Sequence, residues 1–232
     1  AGGEGDVNVI GEGSIKRSLQ EAREDKDVKA IVLRVNSPGG SALTSELIWR
    51  EIEITKKVKP VVVSMGNYAA SGGYYIAANA DRIFAEPNTI TGSIGVFGML
   101  PNMNQLGKNI GINAEQVKTH ENASGYSVFE PIDENFKGFV LESIEKTYAT
   151  FLKRVADGRK MTTEQVDAIA QGRVWTGVDA HKLGLVDEIG GLDAAIKYAA
   201  KLGKTSSYRT ENYPEYEKNF EDLLANFTGM AM

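Results

Sequence analysis

KAIVLRV (29–35) and KPVVVSM (59–65) are short apolar runs rich in β-branched residues, and each ends in a break of small residues followed by a helical pattern. Such a run, without polar alternation, fits a strand buried on both faces. Two strand-to-helix turns in succession predict βαβ units, a mainly parallel sheet and flanking helices, hence an α/β fold. An α/β sheet binds its ligands beyond the carboxyl ends of its strands. The breaks NSPGG (36–40) and NYAASGG (67–73) are therefore the places to look for chemistry.

The remaining pattern agrees with this class. Residues 14–24 suit a short helix with Ile15, Leu19 and Ala22 on one face. Ser41 is placed to cap a helix whose Leu43, Leu47, Ile48 and Ile52 face inward. Residues 71–80 read as a helix that starts at Ser71, RIFAE (82–86) as a strand, and TGSIGVFG (91–98) as a glycine-rich turn leading into a helix near 98–108. AEQVKT (114–119) reads as another strand and HENASGYSVFEP as irregular. The apolar spacing of Phe136, Val140, Ile144, Tyr148, Phe151, Leu152 and Val155 predicts one long helix over 133–157. Thr162 and Gln165 form a capping-box pattern ahead of a helix at 163–170. VWTG with a helix near 177–183, LVDEIGG and the helix LDAAIKYAAKL complete the alternation. The expected organisation is one domain over 1–203, with 1–13 as a loose lead-in, and an arm or docking helix over 204–232.

Composition removes several functions. The 232 residues carry a net charge of −5, which argues against general nucleic-acid binding. There is no cysteine, so thiol catalysis and disulfides are excluded. The two histidines, His120 and His181, lack metal-ligand spacing and a carboxylate cluster, so neither a metal nor another cofactor is expected. His120 reads as a solvent-exposed loop residue and His181 as structural. Asp187 and Glu188 read as a strand end and turn, and Arg173 and Trp175 as packing residues. The opening AGGEGDVNV suggests an excised or processed piece whose anchor and partner domains lie elsewhere.

Ser71 carries the candidate chemistry. A serine at the first turn of a helix gains from the helix dipole and from unpaired backbone N–H groups. Gly72 lets a substrate carbonyl approach its own N–H, and Gly40 in NSPGG offers a second donor. Two such donors aimed at one oxygen form an oxyanion hole, worth about 3 kcal/mol per donor in the transition state. TGSIGVFG lacks the lysine and spacing of a P-loop, and its glycines shape the pocket beside Ser71 instead.

RVNSPGGSALTSE, PVVVSMGNYAASGGYYIA, TGSIGVFG and GRVWTGVDAHKLGLVDEIGG, in this order, resemble the signal peptide peptidase A (protease IV) family. The resemblance covers roughly residues 14–202. It implies the spiral of ββα units shared with the Clp protease and crotonases. It also implies a bacterial, membrane-associated serine peptidase that degrades cleaved signal peptides with a Ser/Lys dyad. Ser71 matches the nucleophile, Gly40 and Gly72 the oxyanion donors, and Ser93 a serine that orients the catalytic lysine. The implied substrates are apolar peptides, which would add as a strand beside NSPGG or TGSIG. Tyr68, Ile94, Val96 and Phe97 are the expected pocket residues.

The sequence departs from the family at the base. The position expected to hold the lysine is Ala123, and no lysine occurs between Lys118 and Lys137. In the long members of the family, the second half carries the serine and the homologous first half the lysine. This chain is therefore expected to be such a second half, inactive alone, in a homo-oligomer on the extracytoplasmic side of the membrane. A local role for Lys118, a crotonase-like acyl-thioester enzyme and a catalytically silent assembly half are the alternatives.

Overall fold

The computed structural model describes residues 9–120, 123 and 125–214. In chain order the elements are α1 (Glu12–Glu24), β1 (Ile31–Ser37), α2 (Ala42–Lys56), β2 (Val61–Ala70), α3 (Gly72–Ala77), β3 (Arg82–Ala85) and β4 (Ile90–Gly92). They continue with α4 (Asn104–Asn109), α5 (Glu134–Arg159), α6 (Thr163–Ile169), β5 (Val174–Thr176), α7 (Gly177–Lys182), β6 (Glu188–Ile189) and α8 (Leu192–Leu202). The class is α/β: a mainly parallel sheet flanked by helices.

β2 organises the sheet. Its first half lies between β1 and β3, with Val62 opposite Val32 and Arg82, both pairings parallel. Its second half pairs with β4, Tyr68–Ala70 against Ile90–Gly92. β6 extends the sheet in parallel beyond β3, and β5 closes the other side antiparallel to β4. Val61, Val63 and Met65 point into the main core with Ile52, Tyr74, Ile83 and Val155. Val62 points the other way, onto Phe84, Ala195 and Ala199 beneath α8. Both faces of the first half of β2 are therefore dry, which is why VVVSM shows no polar alternation.

β1 ends in a register shift between Val35 and Ser37. Asn36 explains it locally. Its Oδ1 accepts the Tyr68 N–H at 3.1 Å, and a Cβ on Gly66 would lie 2.8 Å from that same oxygen. Past the shift, Ser37 pairs with Ala69, so NSPGG runs beside the end of β2.

Two helix starts follow expectation: the Ser41 hydroxyl accepts the Thr44 N–H, and Thr162 with Gln165 forms a complete capping box. The Asp133 side chain also caps α5 by accepting the Phe136 N–H. Three other expectations change. The helix near 98–108 contracts to Asn104–Asn109, because Pro101 has no N–H to continue a helix from residue 98. AEQVKT is not a strand; no described strand lies beside it, and Val117 is fully exposed. On α2, Ile48 and Ile52 are buried, but Leu43 and Leu47 are 69% and 43% exposed. The face that packs carries Ser45, Trp49 and Thr55 instead.

Helix α1 begins at Glu12, inside the expected lead-in, and residues 1–8 lie outside the described residues. The segment after α8 lies against α1, where the Tyr213 hydroxyl donates to Asp25 at 3.2 Å. The rest of the expected arm, 215–232, lies outside the described residues. No described helix is long and apolar enough to cross a membrane.

Candidate active site

The carboxyl ends of β1, β2 and β4 converge on Ser71. The pairing of Ala70 with Gly92 sets Ser71 beside the start of TGSIG, and the Ser71 N–H donates to the Gly92 carbonyl at 2.9 Å. That bond anchors the serine as it leaves the strand. Its φ of 51° is rare for a residue with a Cβ and marks a sharp strand-to-helix corner. The corner half-exposes the side chain while the glycines that follow are buried. The Ser71 hydroxyl makes no hydrogen bond to any described residue.

The NSPGG loop closes against this corner. A Cβ on Gly39 would sit 2.7 Å from the Gly72 nitrogen and 2.8 Å from the Ser71 Cβ. A Cβ on Gly72 would sit 3.2 Å from the Gly40 nitrogen and 2.5 Å from the Ser45 Oγ. Gly40 and Gly72 are thus brought together with their N–H groups unpaired among the described residues. Ser45 is buried at the same point, and its hydroxyl donates to the Ser41 carbonyl at 2.9 Å, tying the loop to α2.

These residues open onto a cavity of about 1140 Å³. One wall is the loop with Ser71 and Ser93; the facing wall is one side of α5, including Ile144, Tyr148 and Phe151. Ser93 also has positive φ, 49°, and its N–H donates to the Arg173 carbonyl at 2.7 Å. Gly95 packs on Gly172, where a Cβ would meet backbone at 2.9 Å, and the Gly172 N–H donates to the Ile94 carbonyl at 2.9 Å.

Of the expected pocket residues, Val96 and Phe97 line this cavity. Ile94 does not: it is fully buried, so its side chain belongs to the core. Tyr68 stands exposed on β2 at its pairing with β4, also outside the cavity lining.

Sequence reasoning missed Tyr75, Tyr148 and Gln171 with Gly172. Tyr148 was visible only as part of the α5 apolar spacing. Its hydroxyl donates to Asp167 at 2.6 Å and accepts the Gln171 N–H at 3.2 Å, joining α5 to the loop after α6. Tyr75 packs on Phe151 with ring centroids 4.7 Å apart and the rings tilted by 41°, and its hydroxyl donates to Glu46. Burial and the adjacent Glu46 carboxylate push the Tyr75 phenol well above its usual range, so it stays protonated. Arg154 holds the other side of Glu46 at 2.5 Å and lies over the Trp49 ring at 3.8 Å.

Among the described residues, no lysine and no histidine lines the cavity. Lys118 and His120 are exposed in the irregular segment, and the His120 ring lies 3.2 Å from the Thr119 hydroxyl. Ala123 is exposed and caps a turn back to the His120 carbonyl at 3.1 Å. His181 is structural, its ring 3.2 Å from the Val186 carbonyl. Arg173 and Trp175 also bond to backbone, and Asp187 pairs with Arg159 at 2.7 Å.

The model of peptidase family S49 matches residues 53–206. The chain is 48% identical over 201 residues to Protease 4 of Haemophilus influenzae, covering 86% of this chain and 32% of that protein. It is 42% identical over 228 residues to Protease 4 of Salmonella typhi, covering 98% and 37%. It is 41% identical over 192 residues to the chloroplastic serine protease SPPA of Arabidopsis thaliana, covering 82% and 28%. The chain spans about a third of the length of these relatives. A glycine-built donor pair beside an unpaired serine, in a chain with these relatives, leads to one assignment. The chain belongs to peptidase family S49, a family of serine peptidases.

Proposed function

We propose that this chain is the nucleophile-bearing half of a Ser/Lys endopeptidase that degrades cleaved signal peptides at the membrane. The observation that carries the reading is the unpaired Ser71 hydroxyl beside the unpaired Gly40 and Gly72 N–H groups, in a cavity that no described lysine lines. In the reaction, Ser71 Oγ attacks the scissile carbonyl carbon while its proton passes to a neutral lysine. The carbonyl oxygen becomes an oxyanion between the Gly40 and Gly72 N–H groups. The lysine then gives its proton to the leaving amine as the C–N bond breaks. Water, deprotonated by the same lysine, releases the acyl group and restores Ser71. The base must be neutral, which burial in an apolar site favours.

The lysine comes from outside this chain, from a homologous domain docked over the cavity, where Ser93 orients it. The length of the relatives leaves room for such a domain. The exposed Phe97, Met99, Leu43 and Phe139 support docking and oligomerisation, because apolar patches of this kind mark interfaces. The Val96, Ile144, Tyr148 and Phe151 side chains suit an apolar peptide laid along the cavity. Active-site acylation followed by mass spectrometry tests the reading. Ser71 should label in the complete enzyme and lose labelling when the homologous domain is removed. Full peptide turnover by this chain alone, abolished by Lys118→Ala, would overturn it.

A further inference from the structure

Among the described residues that line the cavity beside Ser71, Glu145 is the one charged residue. This carboxylate is exposed on α5, one residue past Ile144 and three before Tyr148, on the wall that faces the glycine loop. It has no hydrogen bond or ion pair to any described residue. Its own helix offers no cation at the neighbouring turns: positions 141, 142, 148 and 149 are Leu, Glu, Tyr and Ala. The nearby Lys146 is engaged by Glu142 at 2.6 Å. The other carboxylates of α5 behave differently. Glu134, Glu142 and Asp157 each meet a lysine on the same helix.

We propose that Glu145 is a specificity residue that selects substrates carrying a lysine or arginine at the edge of an apolar stretch. This rests on the peptidase reading, which makes an extended peptide the occupant of the cavity. The apolar part of the substrate lies on Ile144, Tyr148 and Phe151, and the cationic side chain meets Glu145 at the rim. A long basic side chain can do both, with its methylenes on the apolar wall and its charge in water beside the carboxylate. Secretory leaders have this layout, a positive segment followed by an apolar one.

The experiment measures binding, so it needs no turnover. A short leucine-rich peptide with a neutral fluorophore is titrated by fluorescence anisotropy at low salt against the complete enzyme, made inert by Ser71→Ala. Lysine or its uncharged isostere norleucine is placed in turn at each position. At one or two adjacent positions lysine should bind about two- to fivefold tighter than norleucine, the range of a solvent-exposed charge pair. The preference should fall to about one in Glu145→Gln, invert in Glu145→Lys, and fade in high salt. A lysine preference that persists in Glu145→Gln, or none at any position with Glu145 in place, overturns the proposal. Failure of the peptidase reading is seen separately, as absence of Ser71 acylation in the complete enzyme. Because Glu145 is exposed and has no partner among the described residues, Glu145→Gln should leave the unfolding midpoint unchanged, so a lost preference reports recognition and not misfolding.

Discussion

Gly39→Ala tests whether the glycine loop sets the distance between the two N–H donors. Gly39 has φ of 105°, a conformation that costs a residue with a Cβ about 1–3 kcal/mol. Space is the second barrier. The new methyl would lie 2.7 Å from the Gly72 nitrogen, 2.8 Å from the Ser71 Cβ and 2.9 Å from the Ala70 carbonyl oxygen. Two of these neighbours are backbone atoms and the third is the first carbon of the serine, so no rotamer change relieves the contact. The loop must move away from Ser71, taking the Gly40 donor with it. Losing one oxyanion donor costs about 10²–10³ in kcat. KM should change much less, because the oxyanion exists only on the way through the transition state. The assay is steady-state cleavage of an internally quenched apolar peptide by the complete enzyme, with thermal unfolding of the chain beside it. A Gly39→Ala enzyme with wild-type kcat would refute the assignment of this loop to the oxyanion hole. Gly138→Ala is the matched control. Gly138 lies within α5 with open space around its would-be Cβ, so alanine there should stabilise by roughly 0.5–1 kcal/mol and leave kcat intact.

Breaking the Arg159–Asp187 pair should be severe: Arg159 is 8% exposed at its side chain, and Asp187 also accepts the Ile83 N–H at 2.8 Å. Arg159→Ala leaves that carboxylate unpaired and should cost about 3–5 kcal/mol in denaturant unfolding. Glu46 should contribute to the acid limb of stability. Burial raises its carboxyl pKa, but the hydrogen bonds from Arg154 and Tyr75 more than offset this and hold it below the usual 4.5. A depressed carboxyl pKa stabilises the fold above the unfolded value, and this is lost as pH falls through the folded value. The difference in unfolding midpoint between wild type and Glu46→Gln should therefore shrink on acidification from neutral pH to below 4.5. Ser71→Ala should abolish acylation while leaving the unfolding midpoint within a degree or so, since its hydroxyl has no described partner.

The parts of the fold that were legible bury enough surface to impose a pattern on the sequence. The run VVVSM shows no polar alternation because both of its faces are covered, with buried Ser64 accepting a hydrogen bond from Arg34 at 2.7 Å, and the spacing from Tyr148 to Val155 is helical because that part of α5 meets the core. The illegible parts lack such a signature. β2 continues through Gly66–Ala70, where its small residues look like a break but serve as the docking edge for β4. AEQVKT has a strand-like composition but no described neighbour to pair with. Leu43 and Leu47 sit at helical spacing yet point outward, because α2 is held by Ile48, Ile52 and the Arg154–Trp49 stack. In the site, Ser71, Gly40, Gly72 and Ser93 were readable from motifs. The wall of Tyr75, Tyr148, Gln171 and Gly172 was not: Tyr75 and Gly172 sit inside quoted motifs with nothing in the pattern to mark them as cavity residues, and Tyr148 and Gln171 lie outside those motifs.

The split of β2 between two sets of neighbours also accounts for why the serine stands where it does. A strand that ended at Met65 would release the chain while β1 was still beside it, well short of TGSIG. By running on to Ala70, β2 carries the chain past the end of β1 and into register with β4. The Asn36 side chain fills the shift in β1, and Gly66 makes room for it. The serine corner then falls between two glycine-bearing loops, each free to approach because neither presents a Cβ at the contact. Gly39 meets the Ser71–Gly72 backbone on one side, and the Gly92 carbonyl takes the Ser71 N–H on the other. The positive φ at Ser71 is a consequence of this placement, since the chain must turn sharply into α3 within one residue of leaving the sheet. Relieving the strain at Ser71 would therefore require shortening β2, which would separate the serine from both loops at once.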